Sequence, residues 1–470
     1  MSIEQLIILA SVAIIVGQLK KGRSLALLAV SVFVIYWLQP PQSFVNLTFW
    51  FPTATLAVTV LAWLLTSTPE SRGWKQTRHA LAVILGVVVL VDLNRYFQFE
   101  QVYITQTPRL QWVGTAVAIV VTSALLLARF RKFPQSLFVV AIIGLIGMLT
   151  LIKAPSALGM IFEAVPAFRG NEAGGSLSLS WLGFSYVAFR LMHTILDRMA
   201  GRLPPVSLAE YVNYAVFFPS FTAGPIDRLE RFTRELNAPV ALDREGWMDA
   251  GTRFFVGLFK KFVIADALAW IALNETFAAQ TRSAGWMWIL LYAYSLRIYF
   301  DFSGYTDIAI GLGRLLGVRL PENFDSPYLK PNLTQFWNSW HMTLTQWFRA
   351  YYFNPLTRAM RSAKQPMPQF LVILITQVST MALIGLWHGV TAGFVIWGLW
   401  HGIGLFVQNR WSDFMRTRRS FQNESSTRQL ALKYAGIFLT FHFVSIGWLF
   451  FVLSTPALVW QAALKLFGVL

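Results

Sequence analysis

Apolar runs follow one another along almost the whole chain, separated by short polar breaks. They cover residues 6–16, 24–38, 49–65, 80–91, 111–128, 137–152, 177–192, 254–271, 286–300, 370–386, 394–407, 434–452 and 458–470. A helix needs about 20 residues to cross the hydrocarbon core of a bilayer, so the longer runs predict spanning helices. The shorter ones predict helices that are tilted, extended by polar flanks or re-entrant. The pattern as a whole predicts an all-α, polytopic transmembrane helical bundle of about 11–12 crossings, with re-entrant or interfacial helices besides. No soluble domain interrupts it, so residues 1–470 read as a single domain.

The polar breaks carry the orientation. Lys20, Lys21 and Arg23, then Arg72, Lys75 and Arg78, then Arg129, Arg131 and Lys132, then Arg198 and Arg202 fill every second break, whereas 39–48, 92–110 and 153–176 are nearly neutral. Short cytoplasmic loops are enriched in Lys and Arg. The loops at 18–23, 67–79, 129–135 and 197–206 are therefore expected in the cytoplasm, and the N-terminus and the neutral loops outside, in a multi-pass protein of the cell membrane. Met1-Ser2-Ile3-Glu4-Gln5 lacks the basic start of a cleavable leader, so the first span is expected to be retained.

Composition agrees and changes how the charge is read. The chain is 56% hydrophobic and 13% charged, against about 25% charged in soluble domains. Its net charge of +17 is distributed over the loop clusters, which argues against nucleic acid as a partner. The absence of cysteine excludes disulfides, thiolate metal sites, a cysteine nucleophile and S-palmitoylation. No H-E-x-x-H, Walker or serine-elbow motif occurs, and neither a metal nor a bound cofactor is expected.

The texture changes after residue 200. Pro204-Pro205 opens a stretch reaching Phe217–Arg228, where further Pro and Gly forbid one long helix. Residues 229–244 read as a basic amphipathic segment lying on the cytoplasmic face, and 408–428 as a polar basic cytoplasmic loop. From 300 to 402 polar groups intrude on apolar sequence. Irregular backbone at membrane depth survives only beside protein or a water-filled cavity, so this region is expected to line an internal cavity. Gly311, Gly313 and Gly317 have the wrong spacing for a phosphate loop and read as helix-packing positions.

Three of the six histidines fall in this apolar, tryptophan-rich third. His341 stands in Phe336-Trp337-Asn338-Ser339-Trp340-His341, while His388 and His401 sit in two copies of Gly-Leu-Trp-His-Gly, at 385–389 and 398–402. Ionisable groups inside a bilayer are costly and mark function, and imidazole suits proton transfer near neutral pH. Gly385, Gly389 and Gly393 recur every four residues, which predicts one close-packing helix face, and His388 is the favoured proton-transfer residue. In one unbroken helix, thirteen steps of about 100° would turn His401 about 220° away from His388. His401 then reads as a packing residue unless the chain breaks around 389–393. His341 would share a helix face with Asn338 and Thr345, forming a polar cluster; the alternative is a tryptophan-rich interfacial helix. His79 reads as a surface residue, and His193 and His442 as packing or hydrogen-bonding residues. Asp301 and Asp307 do not share a helix face; Asp301 is expected in an ion pair with Arg190 or Arg314.

Six segments together resemble the membrane-bound O-acyltransferases, in particular the bacterial branch that acylates alginate and teichoic acids. They are 218–228, 257–266, 299–311, Pro321-Glu322-Asn323-Phe324, 336–341 and 385–389, and with the sequence between them they cover about residues 180–405. The resemblance implies a bundle around a central funnel, with His388 and His341 as the catalytic residues and Trp337, Asn338, Asp301 and Tyr305 as substrate-binding residues. It implies transfer of an acyl group from a cytoplasmic thioester, acyl-CoA or acyl-carrier protein, to hydroxyls of an extracytoplasmic glycopolymer or an esterase-like partner protein. Features of both sub-branches are present, with acetyl favoured over D-alanyl. The family often has arginine after Asn338, where this chain has Ser339. A reading of another class is a proton-coupled transporter, but the pentapeptide is the only internal repeat.

Overall fold

The computed structural model describes residues 1–42, 46–97, 107–130, 132–154, 180–238, 242–365, 367–418 and 426–469. All regular structure among them is helical apart from one isolated antiparallel bridge, Phe324–Trp340. Among the described residues, six helices are long and apolar enough to cross a membrane: Leu47–Thr66, Trp74–Tyr96, Leu110–Ala128, Gln135–Ile152, Gln369–His388 and Ser426–Val452. Leu110–Ala128 buries only 6% of its apolar window within the chain and Gln135–Ile152 only 11%. Helices that are apolar all round and yet exposed have lipid as their solvent. The chain is thus a multi-pass membrane protein. Ile3–Gly17 and Arg23–Trp37 are apolar but shorter. Residues 98–106 of the neutral loop 92–110 and residues 155–176 of the loop 153–176 lie outside the described residues.

The fold divides into two units, Met1–Phe255 with Asp307–Pro321, and Val256–Thr306 with Glu322–Leu470. In the first, Ser207 and Glu210 cap Leu208–Val216 reciprocally, the hydroxyl accepting from the Glu210 amide and the carboxylate from the Ser207 amide. That helix ends where the aromatic turn 217–223 begins, as the proline and glycine content predicts. Residues 229–244 are not one surface helix. Leu229–Asn237 buries Leu229, Phe232 and Leu236, and a separate helix begins at Arg244. Three apolar side chains on one face of a nine-residue helix outweigh the charges opposite them.

The polar residues 301–306 do not interrupt the helix; Ala284–Leu315 is continuous through them. Residues 408–418 likewise belong to the helix Ala392–Arg418 rather than to a loop. Intrahelical bonding satisfies the backbone in both, so polar side chains alone do not break a helix. Gly304 packs on backbone atoms of Gly257 and Lys261, and within the first unit Gly311 packs on Ala250 and Phe254. A Cβ at either glycine would come within 2.9 Å of the opposing backbone. This is the helix packing expected of Gly311.

Candidate active site

Asn332 caps the short helix Leu333–Trp337, its side chain accepting from the Gln335 amide at 2.9 Å. The helix stops at Asn338, and the chain then runs alongside residues 323–325. The Asp325 amide donates to the Ser339 carbonyl at 3.0 Å and the Met342 amide to the Asn323 carbonyl at 2.9 Å. Between these bonds His341 adopts φ 43°, in the left-handed region uncommon outside glycine. Such a residue persists where its surroundings over-determine it, and it is a reason to look for function. A second short helix, Met342–Phe348, follows at once.

The His341 side chain is 3% exposed. Its Nδ1 lies 3.1 Å from Oδ1 of Asn323, which also accepts from the Thr343 amide at 3.2 Å and the Thr343 hydroxyl at 2.9 Å. The Phe302 ring stands edge-on to the imidazole at 4.7 Å between centroids. His341 lies between helices too short to span, and burial pushes its imidazole pKa below the ordinary value.

His388 is the last residue of the helix Gln369–His388, and Ala392–Arg418 starts four residues later. Gly385 rests against the carbonyl of Phe394 and Gly398 against that of Met381, so these two helices touch backbone to backbone. Any side chain at either glycine would push them apart. The His388 ring packs on Trp387, Trp397 and Phe451, at 4.7, 5.5 and 4.9 Å between centroids.

These elements bring His341 and His388 to one cavity of about 40 Å³, completed by Ile298, Phe302, Trp337, Trp340, Leu344, Thr345, Ile384, Trp397, Trp448 and Phe451. By volume it has room for about three water molecules. A second cavity, of about 130 Å³, shares Trp337, Thr345 and Ile384 with the first and adds Asn338, Arg349, Gln377 and Thr380 among others. Arg349 begins a π-helical turn, Arg349–Phe353, and donates to Asn338 Oδ1 at 2.6 Å. Turns of this kind recur at functional sites.

Several expectations change here. Asn338 does not share a helix face with His341, because the chain leaves the helix between them; the two line different cavities. Trp337 lines both. Asp301 pairs at 2.6 Å with Lys261, not with Arg190 or Arg314. Arg190 instead donates to the carbonyls of Tyr214, Ala215 and Ser220, and Arg314 pairs with Asp249. Asp301 is absent from the cavity lining because Phe302, about 100° further round the same helix, takes that direction. Tyr305 is half-buried and does not line that cavity either.

The chain does break at 389–391, so the unbroken-helix geometry does not apply to His388 and His401, and the three glycines share no continuous face. His401 is nonetheless outside both cavities. It is fully buried, with Trp337 and Trp397 each 5.0 Å away between ring centroids. Asn323 had no role assigned from the sequence, although it stands in one of the motif segments; nothing local to it signals that a loop eighteen residues before His341 folds back onto that ring.

The chain is 31% identical over 303 residues to the teichoic acid D-alanyltransferase of Streptococcus thermophilus, covering 62% of this chain and 72% of that one. It is 33% identical over 283 residues to the probable alginate O-acetylase of Pseudomonas aeruginosa, covering 60% and 50%. It is 33% identical over 265 residues to the peptidoglycan O-acetyltransferase of Helicobacter pylori, covering 53% and 46%. The chain thus spans about half the length of the last two relatives. The segment that matches the family itself, MBOAT, residues 177–455, contains both histidines and every residue lining their common cavity. The chain therefore belongs to the membrane-bound O-acyltransferase family and is an O-acyltransferase.

Proposed function

We propose that this protein transfers a small acyl group, acetyl in the first instance, from a thioester donor on the cytoplasmic side to hydroxyls of a cell-envelope polymer or of a secreted esterase-like partner. The observation that carries the reading is the convergence of His341 and His388, from separate elements, on one cavity walled by aromatic rings. A hydroxyl is a weak nucleophile until a base removes its proton. In the reaction we assign, His388 takes that proton as the hydroxyl oxygen bonds to the thioester carbonyl carbon. The carbon–sulfur bond then breaks, and the proton returns to the departing thiolate. The products are an ester and a free thiol, and no other reactant is needed. Trp337 is our candidate for the oxyanion donor, because it lines the cavity and its Nε1 is buried without a hydrogen-bond partner among the described residues. Asn338, Asp301 and Tyr305 remain candidates for substrate contacts outside this cavity.

Acetyl is favoured because the cavity is small and, among the described residues, no carboxylate lines it to meet the ammonium of a D-alanyl group. One observation supports the second reading, that of D-alanyl transfer: tryptophan faces attract cations. The test is mild alkaline release of ester-linked groups from the envelope of cells that make the protein, or its His388→Ala variant, in a deletion background. Acetate restored by the wild type alone supports the proposal. D-alanine in its place moves the assignment to the second reading, and restoration of neither group overturns both.

A further inference from the structure

The three donors that converge on Asn323 Oδ1 have a chemical consequence for His341. One of them, the Thr343 amide, can only donate. The atom it meets must therefore be the acceptor, so the Asn323 amide cannot be turned over. His341 Nδ1, 3.1 Å from the same oxygen, must then carry a hydrogen. In a neutral imidazole the hydrogen bond made by one nitrogen fixes the state of the other. Asn323 is fully buried, and it is held in place by its own carbonyl, which accepts from the Met342 amide.

We propose that Asn323 is a positioning residue of the transfer reaction: it holds His341 in the tautomer with hydrogen on Nδ1, so that Nε2, at the other edge of the ring, presents a lone pair to the acceptor hydroxyl. His341 then accepts the hydroxyl's hydrogen bond and so orients the acceptor, before His388, across the cavity, takes the proton. Asn323 itself is not a cavity liner and acts only through the histidine. The inference rests on the acyl-transfer reading, but the tautomer stands or falls by itself. His388 is the titratable group that shares the cavity with His341. The carboxylates on the segments that meet His341 are Glu322, beside Asn323, Asp325, which is held by Lys330, and Asp301, which is held by Lys261.

Two measurements test it on the full-length protein. The first is nitrogen-15 spectroscopy of histidine-labelled protein in lipid, with the His341 signals assigned by their loss in His341→Gln. Hydrogen on Nδ1 in the wild type, and a mixed or reversed tautomer in Asn323→Ala, is the expected result. Hydrogen on Nε2 in the wild type overturns the proposal, whatever the activity. The second is the pH profile of thiol release from acetyl-CoA in membrane vesicles. A carboxylate beside Nδ1–H favours the imidazolium, and transfer needs the neutral ring. Asn323→Asp should therefore move the acidic limb upward by about one to three pH units and recover above it. Asn323→Ala should lower the plateau by about 10–100-fold without that displacement. Equal losses from both variants at every pH would reduce Asn323 to a packing role and overturn the proposal. If the wild-type tautomer is as expected but His341→Gln transfers normally, it is the acyl-transfer role of His341 that fails.

Discussion

Arg190 in the first unit and the His341–His388 pair in the second are both buried ionisable groups in apolar sequence, yet their surroundings are built differently. Arg190 is 1% exposed and spends its guanidinium on the carbonyls of Tyr214, Ala215 and Ser220 and on the Ser220 hydroxyl. Beside it, His193 lies between the Tyr214 hydroxyl and Asp197, each at 2.9 Å, in the hydrogen-bonding role expected of it. The second unit surrounds its histidines with rings and a small cavity, and holds one of them in a left-handed backbone conformation. A buried cation whose hydrogens go to backbone carbonyls ties a chain reversal together. An imidazole beside a cavity keeps chemistry available to a substrate. Both kinds of residue look alike to an argument from membrane burial alone.

The contrast can be broken at its strongest point first. His388→Ala should lower transfer by at least about a hundredfold, the usual scale of general acid–base catalysis, with insertion and thermal stability unchanged; ester-linked acyl content of the envelope is the readout. Arg190→Ala should do the reverse. Stranding its acceptors costs about 1–3 kcal/mol each, so the variant should accumulate poorly and melt earlier, while the molecules that fold retain their turnover. A folded, inactive Arg190→Ala would put that residue in the chemistry and dissolve the distinction.

Smaller effects sharpen the second unit. His401 repeats the pentapeptide of His388 but packs between Trp337 and Trp397. His401→Phe should keep activity within about threefold, whereas His401→Ala should destabilise by about 2–4 kcal/mol through the cavity it leaves. Loss of activity from His401→Phe equal to that from His388→Ala would make the two pentapeptides one site. The smallest effect is expected at the second cavity. Arg349→Ala and Asn338→Ala should resemble each other, each within about tenfold of wild type, because they lose the same charge-assisted hydrogen bond. If Asn338→Ala instead follows His341→Ala, the separation of the two cavities is functionally irrelevant.

Residue types and spacing made the membrane bundle and the histidines legible. A succession of apolar runs near the length that spans a bilayer has one solvent available to it, and imidazole in such sequence is costly enough to mark a candidate. What the spacing of Asn338 and His341 could not reveal is that the helix ends between them. That break depends on residues 323–325, which bond to 339–342 across a loop. Local patterning in the same way left open whether the chain breaks after His388. The break follows from the closeness of the hairpin: helices that touch at Gly385 and Gly398 leave room only for a sharp reversal, and Gly389 makes it.

Sequence by itself therefore determined the solvent of this protein, its helical class and the two histidines proposed for its chemistry, because these follow from side-chain chemistry and periods of a few residues. Tertiary structure decided which polar residue serves which histidine. Asn338 turned to Arg349, Asp301 to Lys261, and Asn323 to His341. Those choices are made by backbone hydrogen bonds and ring packing between segments distant along the chain, where no local period can reach.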